Sequence, residues 1–167
     1  MRSLSRFQGQ DILIFVRNLA PGVFLGVFLF IPFAYSEVPI NLQAIKVIES
    51  DGNFLAFNSR SECYGLYQIS KVCLHDFNEL NQAKYTVQDL FEPSINEQVA
   101  SWYFDRIRYM LNFYHIPVSI ETVIASYNWG ISNVVRWYGE GADMLQLPKE
   151  TRNYIKEYVQ LSMAQKL

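Results

Sequence analysis

Between Pro93 and Tyr114 the chain places Ile95, Val99, Trp102, Tyr103, Ile107, Met110, Leu111 and Tyr114 at intervals of three and four, with Glu97, Asp105 and Arg108 on other faces. An apolar stripe of that period belongs to an amphipathic helix, and a helix this long must bury one face against the rest of the chain. Pro93 suits a first turn and Pro117 ends the pattern. Shorter stretches repeat the theme. Leu42, Ile45 and Ile48 mark a helix stopped at Asp51-Gly52, and residues 72–80 mark a second short one. Ser119 caps a segment from Ile120 to about Asn128 that stops at Gly130; residues 132–138 suit a brief helical turn. Pro148 opens a last helix reaching Ala164, with Ile155, Tyr158, Val159 and Met163 along one side. Thr86 and Asp89 have the spacing of a capped turn. No run alternates apolar and polar residues as a half-buried strand does, so a mostly helical fold is expected.

The 167 residues suffice for one domain. Residues 1–36 stand apart. A start bearing Arg2, Arg6 and Arg17 precedes an uncharged apolar stretch from Leu19 to Ala34, and Ala34-Tyr35-Ser36 places small residues where signal peptidase inspects them. The expectation is an export signal cleaved after Ser36. A retained membrane anchor is the second reading, the apolar run falling slightly short of the roughly 20 residues a bilayer requires. Residues 37–167 then form the working domain. Net charge is −2, and the basic residues near the start leave the remainder mildly acidic, which excludes the basic face of a nucleic-acid binder. Aromatic residues make up 16% of the chain, most of which a helical core would absorb.

Chemistry concentrates around Glu49. It falls in the last turn of the first helix, where the helix dipole is negative, beside apolar Ile48 and near Phe54. Both the dipole and poor solvation oppose ionisation, so the carboxyl should titrate high, as a general acid working near neutrality requires. His75 and His115 lack metal-ligand spacing, so no metal or cofactor is expected. Cys63 and Cys73 leave a disulfide and two free thiols both open, because spacing alone does not fix how closely their Cα atoms approach.

Three motifs, in order, resemble those of lytic transglycosylases, the lysozyme-like enzymes that cleave peptidoglycan. Glu49-Ser50, then Ser59, then Gly65-Leu66-Tyr67-Gln68-Ile69 are similar to the catalytic E-S and the S-x-x-G-A-x-G-L-M-Q of that family; Glu62, Cys63 and Tyr67 depart from it. Ala125-Ser126-Tyr127-Asn128-Trp129-Gly130 resembles A-Y-N-A-G. Pro148-x-Glu150-Thr151-x-x-Tyr154 resembles the P-x-E-T-x-x-Y that opens the family's final helix. The lead-in Asp89–Asn96 is also family-like, with Asn96 read as structural.

The resemblance covers about residues 42–160 and implies an α+β lysozyme-like domain, mostly helical, with an active-site cleft. It implies that Glu49 is catalytic, that Ser59, Gln68, Tyr127, Asn128, Glu150 and Tyr154 contact substrate, and that peptidoglycan strands are the partner. One carboxylate suffices if it protonates the leaving glycosidic oxygen and then accepts the proton of the sugar's own C6 hydroxyl, closing a 1,6-anhydro ring. Two alternatives stand beside this reading: a goose-type-like lysozyme hydrolysing the same bond, and a non-catalytic wall-binding or assembly protein. The resemblance further implies an exported, periplasmic or cell-envelope location and service to a secretion or conjugation machine.

Overall fold

The computed structural model describes residues 38–164. The signal or anchor expected at residues 1–36 lies outside them. Among the described residues, six α-helices surround a small sheet: α1 (Leu42–Ser50), α2 (Lys71–Asn81), α3 (Pro93–Phe113), α4 (Ile120–Trp129), α5 (Ile131–Gly139) and α6 (Lys149–Ala164). The fold is therefore mostly helical, as the periodicity indicates. No described helix is long and apolar enough to cross a membrane.

Helix ends follow local chemistry. The side chains of Asn41 and Ser70 accept from the backbone of Ala44 and Cys73, capping α1 and α2. Ser119 and Thr122 form a reciprocal capping box on α4, which satisfies two amides that would otherwise lack helical partners. At the end of α1 the left-handed cap is Asp51, at φ 51°, rather than the glycine after it. Gly52 is itself at φ +77°, so the chain turns through two successive left-handed residues. Gly130, at φ +91°, ends α4 and begins α5, which is a full helix rather than the brief turn expected.

Periodicity gives no sign of the sheet. Strands β1 (Phe57–Asn58), β2 (Cys63–Tyr64) and β3 (Ile69–Ser70) have two residues each and pair antiparallel in that order, Phe57 against Tyr64 and Cys63 against Ser70. Two residues cannot display an alternating pattern, so pairing rests on the turns instead.

The turn from β2 to β3 is held by Asn96 on α3. Its Oδ1 accepts from the Tyr67 N–H at 2.9 Å; its Nδ2 donates to the carbonyls of Tyr64 at 2.9 Å and Leu90 at 2.8 Å. Asn96 is fully buried, so its amide replaces water for three backbone groups at once. Gly65 makes that approach possible: a Cβ there would lie 2.3 Å from both Asn96 Nδ2 and the Leu90 carbonyl. The core beneath is continuous, with Ile45, Leu90, Val99, Phe104, Leu111 and Ile124 all at most 1% exposed. Asn96→Ala should cost about 3 kcal/mol or more by orphaning these groups, and Gly65→Ala a comparable amount through clash and strain. Urea unfolding measures both losses.

Candidate active site

α1 ends under the β2–β3 turn, and its last two residues do different work. Ser50 donates through Oγ to the Leu66 carbonyl at 2.8 Å and shares the Lys46 carbonyl at 3.2 Å, fastening the helix end to the turn. Glu49, one residue earlier, is partly buried and accepts a hydrogen bond from the Tyr154 hydroxyl at 2.6 Å. Tyr154 lies on α6, which packs against α1. One turn further along the same face, the Tyr158 hydroxyl accepts from the Asn41 N–H at 2.8 Å. Thus α6 holds α1 near both ends.

Burial raises the Glu49 carboxyl from 4.5 to about 7, while the Tyr154 hydrogen bond pulls it down because it favours the ionised form. The poor solvation expected from the sequence is present; α6, which carries Tyr154, packs against α1, and Phe54 is itself 45% exposed. Tyr154 itself is pushed far above the ordinary phenol value by burial and by the Glu49 charge, so it stays protonated and keeps donating. Near neutrality Glu49 can therefore hold a proton or release one.

Tyr127 takes a place one step from the acid. Its hydroxyl donates to the Tyr67 carbonyl at 2.6 Å and its ring stacks on Phe104, centroids 4.6 Å apart. It is close enough for the Glu49 charge to raise its own phenol. Gln68 stands at φ 47°, and its Nε2 donates to the carbonyls of Gly65 at 3.0 Å and Ala56 at 3.3 Å. Both Nε2 bonds thus go to backbone, which leaves Oε1 as the acceptor end of the amide. Glu49, Gln68, Tyr127 and Tyr154 are linked through one turn and its bonds.

The remaining predicted residues are less closely gathered. Asn128 is partly buried in the last turn of α4. Glu150 is exposed in the first turn of α6, one turn before Tyr154 on the same face. Ser59 lies in the exposed β1–β2 turn, outside the hydrogen-bond network around Glu49. Cys63 and Cys73 are free thiols, the second buried. Among the described residues no cluster of His, Cys, Asp and Glu is placed to hold a metal ion.

Two contributors went unassigned in the sequence. Ser50 was visible only as a motif letter, since its role depends on the Leu66 carbonyl. Tyr158 has a readable signal, the tyrosine pair four apart on α6. Tyr67, which replaces a methionine of the motif, is 1% exposed and donates through its hydroxyl to Glu97 at 2.9 Å.

The raised carboxyl has a consequence for stability. A carboxyl whose folded value exceeds its unfolded value contributes most below about pH 4.5, and that contribution is lost as pH rises through 7. Glu49→Gln, which removes the buried charge, should therefore gain stability relative to wild type on the alkaline side. The gain expected by pH 9 is on the order of 1–3 kcal/mol, absent at pH 4. Denaturant midpoints across that range test the sign.

A family model described as Transglycosylase SLT domain matches residues 34–147. The match takes in α1, the sheet, the β2–β3 turn and α3 to α5, and ends before α6, which supplies Tyr154. Neither the curated proteins nor the solved structures contain a match.

Proposed function

The chain belongs to the transglycosylase SLT domain family, and from that premise we propose that it cleaves the β-1,4 bond between N-acetylmuramic acid and N-acetylglucosamine in peptidoglycan, with Glu49 as general acid and then base. The observation that carries the reading is the state of Glu49: a half-buried carboxyl at about 7, aimed by a tyrosine hydroxyl beside the Gln68 turn. A group poised near the working pH is best suited to both directions of proton transfer.

In this mechanism protonated Glu49 donates to the leaving glycosidic oxygen as the bond to C1 breaks. The resulting carboxylate, stabilised by the Tyr154 hydrogen bond, takes the proton of the C6 hydroxyl while its oxygen bonds to C1. Glu49 returns to its starting form, and the product carries a 1,6-anhydro ring. Nucleophile and electrophile belong to one sugar, so no water has to be positioned. In this reading the Gln68 Oε1 accepts from an N–H or hydroxyl of the sugar, and Asn128 and Glu150 contact its neighbouring groups. Substrate recognition by Ser59 belongs to a strand that reaches the β1–β2 turn. The apolar stretch ending at Ala34-Tyr35-Ser36 favours export to the cell envelope, where such a strand is found and where a secretion or conjugation machine would need a local opening.

Digestion of murein sacculi followed by mass analysis of the fragments tests the reading. The expected products carry anhydro-muramoyl ends, and Glu49→Gln lowers the rate at least about 10³-fold while remaining folded. Reducing ends would instead indicate a lysozyme-type hydrolysis, with Glu150 the first candidate for the base. Binding without cleavage by the wild type would leave a non-catalytic wall protein. Tyr154→Phe removes the bond that favours ionisation, so the Glu49 titration seen in the pH–rate profile should move above 7 while the rate falls.

A further inference from the structure

The Gln68 turn is flanked by two cysteines that the proposed reaction does not use. Cys63 lies on β2, directly opposite Ser70 on β3. Ser70 is the N-cap of α2, its hydroxyl accepting from the Cys73 N–H at 3.2 Å. Ser70 therefore has Cys63 across the strand pair and Cys73 one helical turn ahead. Both cysteines thus neighbour Ser70, and Cys63 is close enough for its charge to act on the Cys73 thiol. Paired residues share a sheet face, so the Cys63 side chain projects on the side of Ser70. Cys63 is partly accessible, with its Sγ donating to the Ser61 carbonyl at 3.6 Å; Cys73 is 8% exposed.

We infer that Cys63 and Cys73 are an oxidisable pair whose disulfide closes the segment carrying the Gln68 turn and braces β2 against α2. The segment between them holds Gly65, Leu66, Tyr67 and Gln68, so the cross-link encloses the backbone that Ser50, Asn96 and Tyr127 grip. It ties the segment at its two ends, Cys63 and Cys73, neither of which those three side chains hydrogen-bond.

The chemistry balances with a disulfide oxidant such as oxidised glutathione. The Cys63 thiol loses its proton to solvent and its thiolate attacks one glutathione sulfur, breaking that S–S bond and expelling one glutathione thiolate. The Cys73 thiolate then attacks Cys63 Sγ in the mixed disulfide, forming the internal bond and expelling the second glutathione. Two protein thiols lose two electrons and two protons, and the oxidant becomes two thiols. Accessibility sets the order: Cys63 meets the oxidant, whereas burial pushes the Cys73 thiol up to about 12 and limits its thiolate. Closure should therefore quicken with rising pH.

The test needs no enzymatic assay, so its outcome is separate from that of the proposed function. Folded wild-type protein is incubated with excess oxidised glutathione, unfolded, alkylated with N-ethylmaleimide and weighed, and its peptides are mapped. The expected product has lost the mass of two hydrogens, takes up no alkylating agent and yields one peptide joining Cys63 to Cys73. Its Tm rises by about 5 °C or more, and dithiothreitol reverses the rise. Cys63→Ser and Cys73→Ser should each abolish both changes. Because Cys73 is in the core, the partly exposed Cys63→Ser variant carries the comparison if Cys73→Ser folds poorly. Full alkylation of both thiols after oxidation, or a stable glutathione adduct on Cys63 alone, would overturn the proposal; so would an internal bond that lowers Tm.

Discussion

The backbone from Tyr64 to Gln68 is the point on which the described part of the molecule converges. Ser50 reaches it from α1, Asn96 from α3 and Tyr127 from α4, and each takes a backbone group that the short strands leave without a partner. Gln68 completes the set by folding its own side chain back onto the Gly65 and Ala56 carbonyls. A tight turn carries many peptide groups that its own ladder cannot satisfy, and burying them without partners would cost a few kcal/mol each. Satisfying them from three helices makes the turn the shared fixed point of those helices. The end of α1, and Glu49 with it, is positioned as a consequence.

A second constraint opposes the first. Pulling α1 under the turn and against α6 takes the Glu49 carboxyl out of water, which favours its neutral form. Tyr154 counters this with a short hydrogen bond to the charged form. The balance leaves the group near neutrality rather than fully protonated or fully ionised. Burial set against one hydroxyl thus leaves Glu49 able to hold or release a proton near neutrality.

Sequence alone revealed the helices well because their signals are local and repeated: the three-to-four spacing over residues 95–114, the cap at Ser119 and the stops at Asp51-Gly52 and Gly130. The sheet was not legible, since two-residue strands have no period. The position of Glu49 near the end of a helix was readable, as was the poor solvation that raises its titration. The hydrogen bond from Tyr154 on α6, more than a hundred positions away, was not, because no local pattern encodes such a contact. Tyr127 shows the same limit. Its motif implied a contact with substrate, while the carbonyl that holds it, that of Tyr67, emerges only when the turn is folded.

These relations reduce to a claim about one side chain, that burial and the Tyr154 hydroxyl together hold Glu49 at the edge of ionisation in the resting protein. The direct measurement is a carboxyl ¹³C NMR titration of the folded wild-type chain, with the Glu49 resonance assigned by its absence in Glu49→Gln. A midpoint near 7 is the predicted result. A midpoint near the ordinary glutamate value of about 4.3 would contradict it, because it would mean that the side chain is solvated and the α6 contact is not formed.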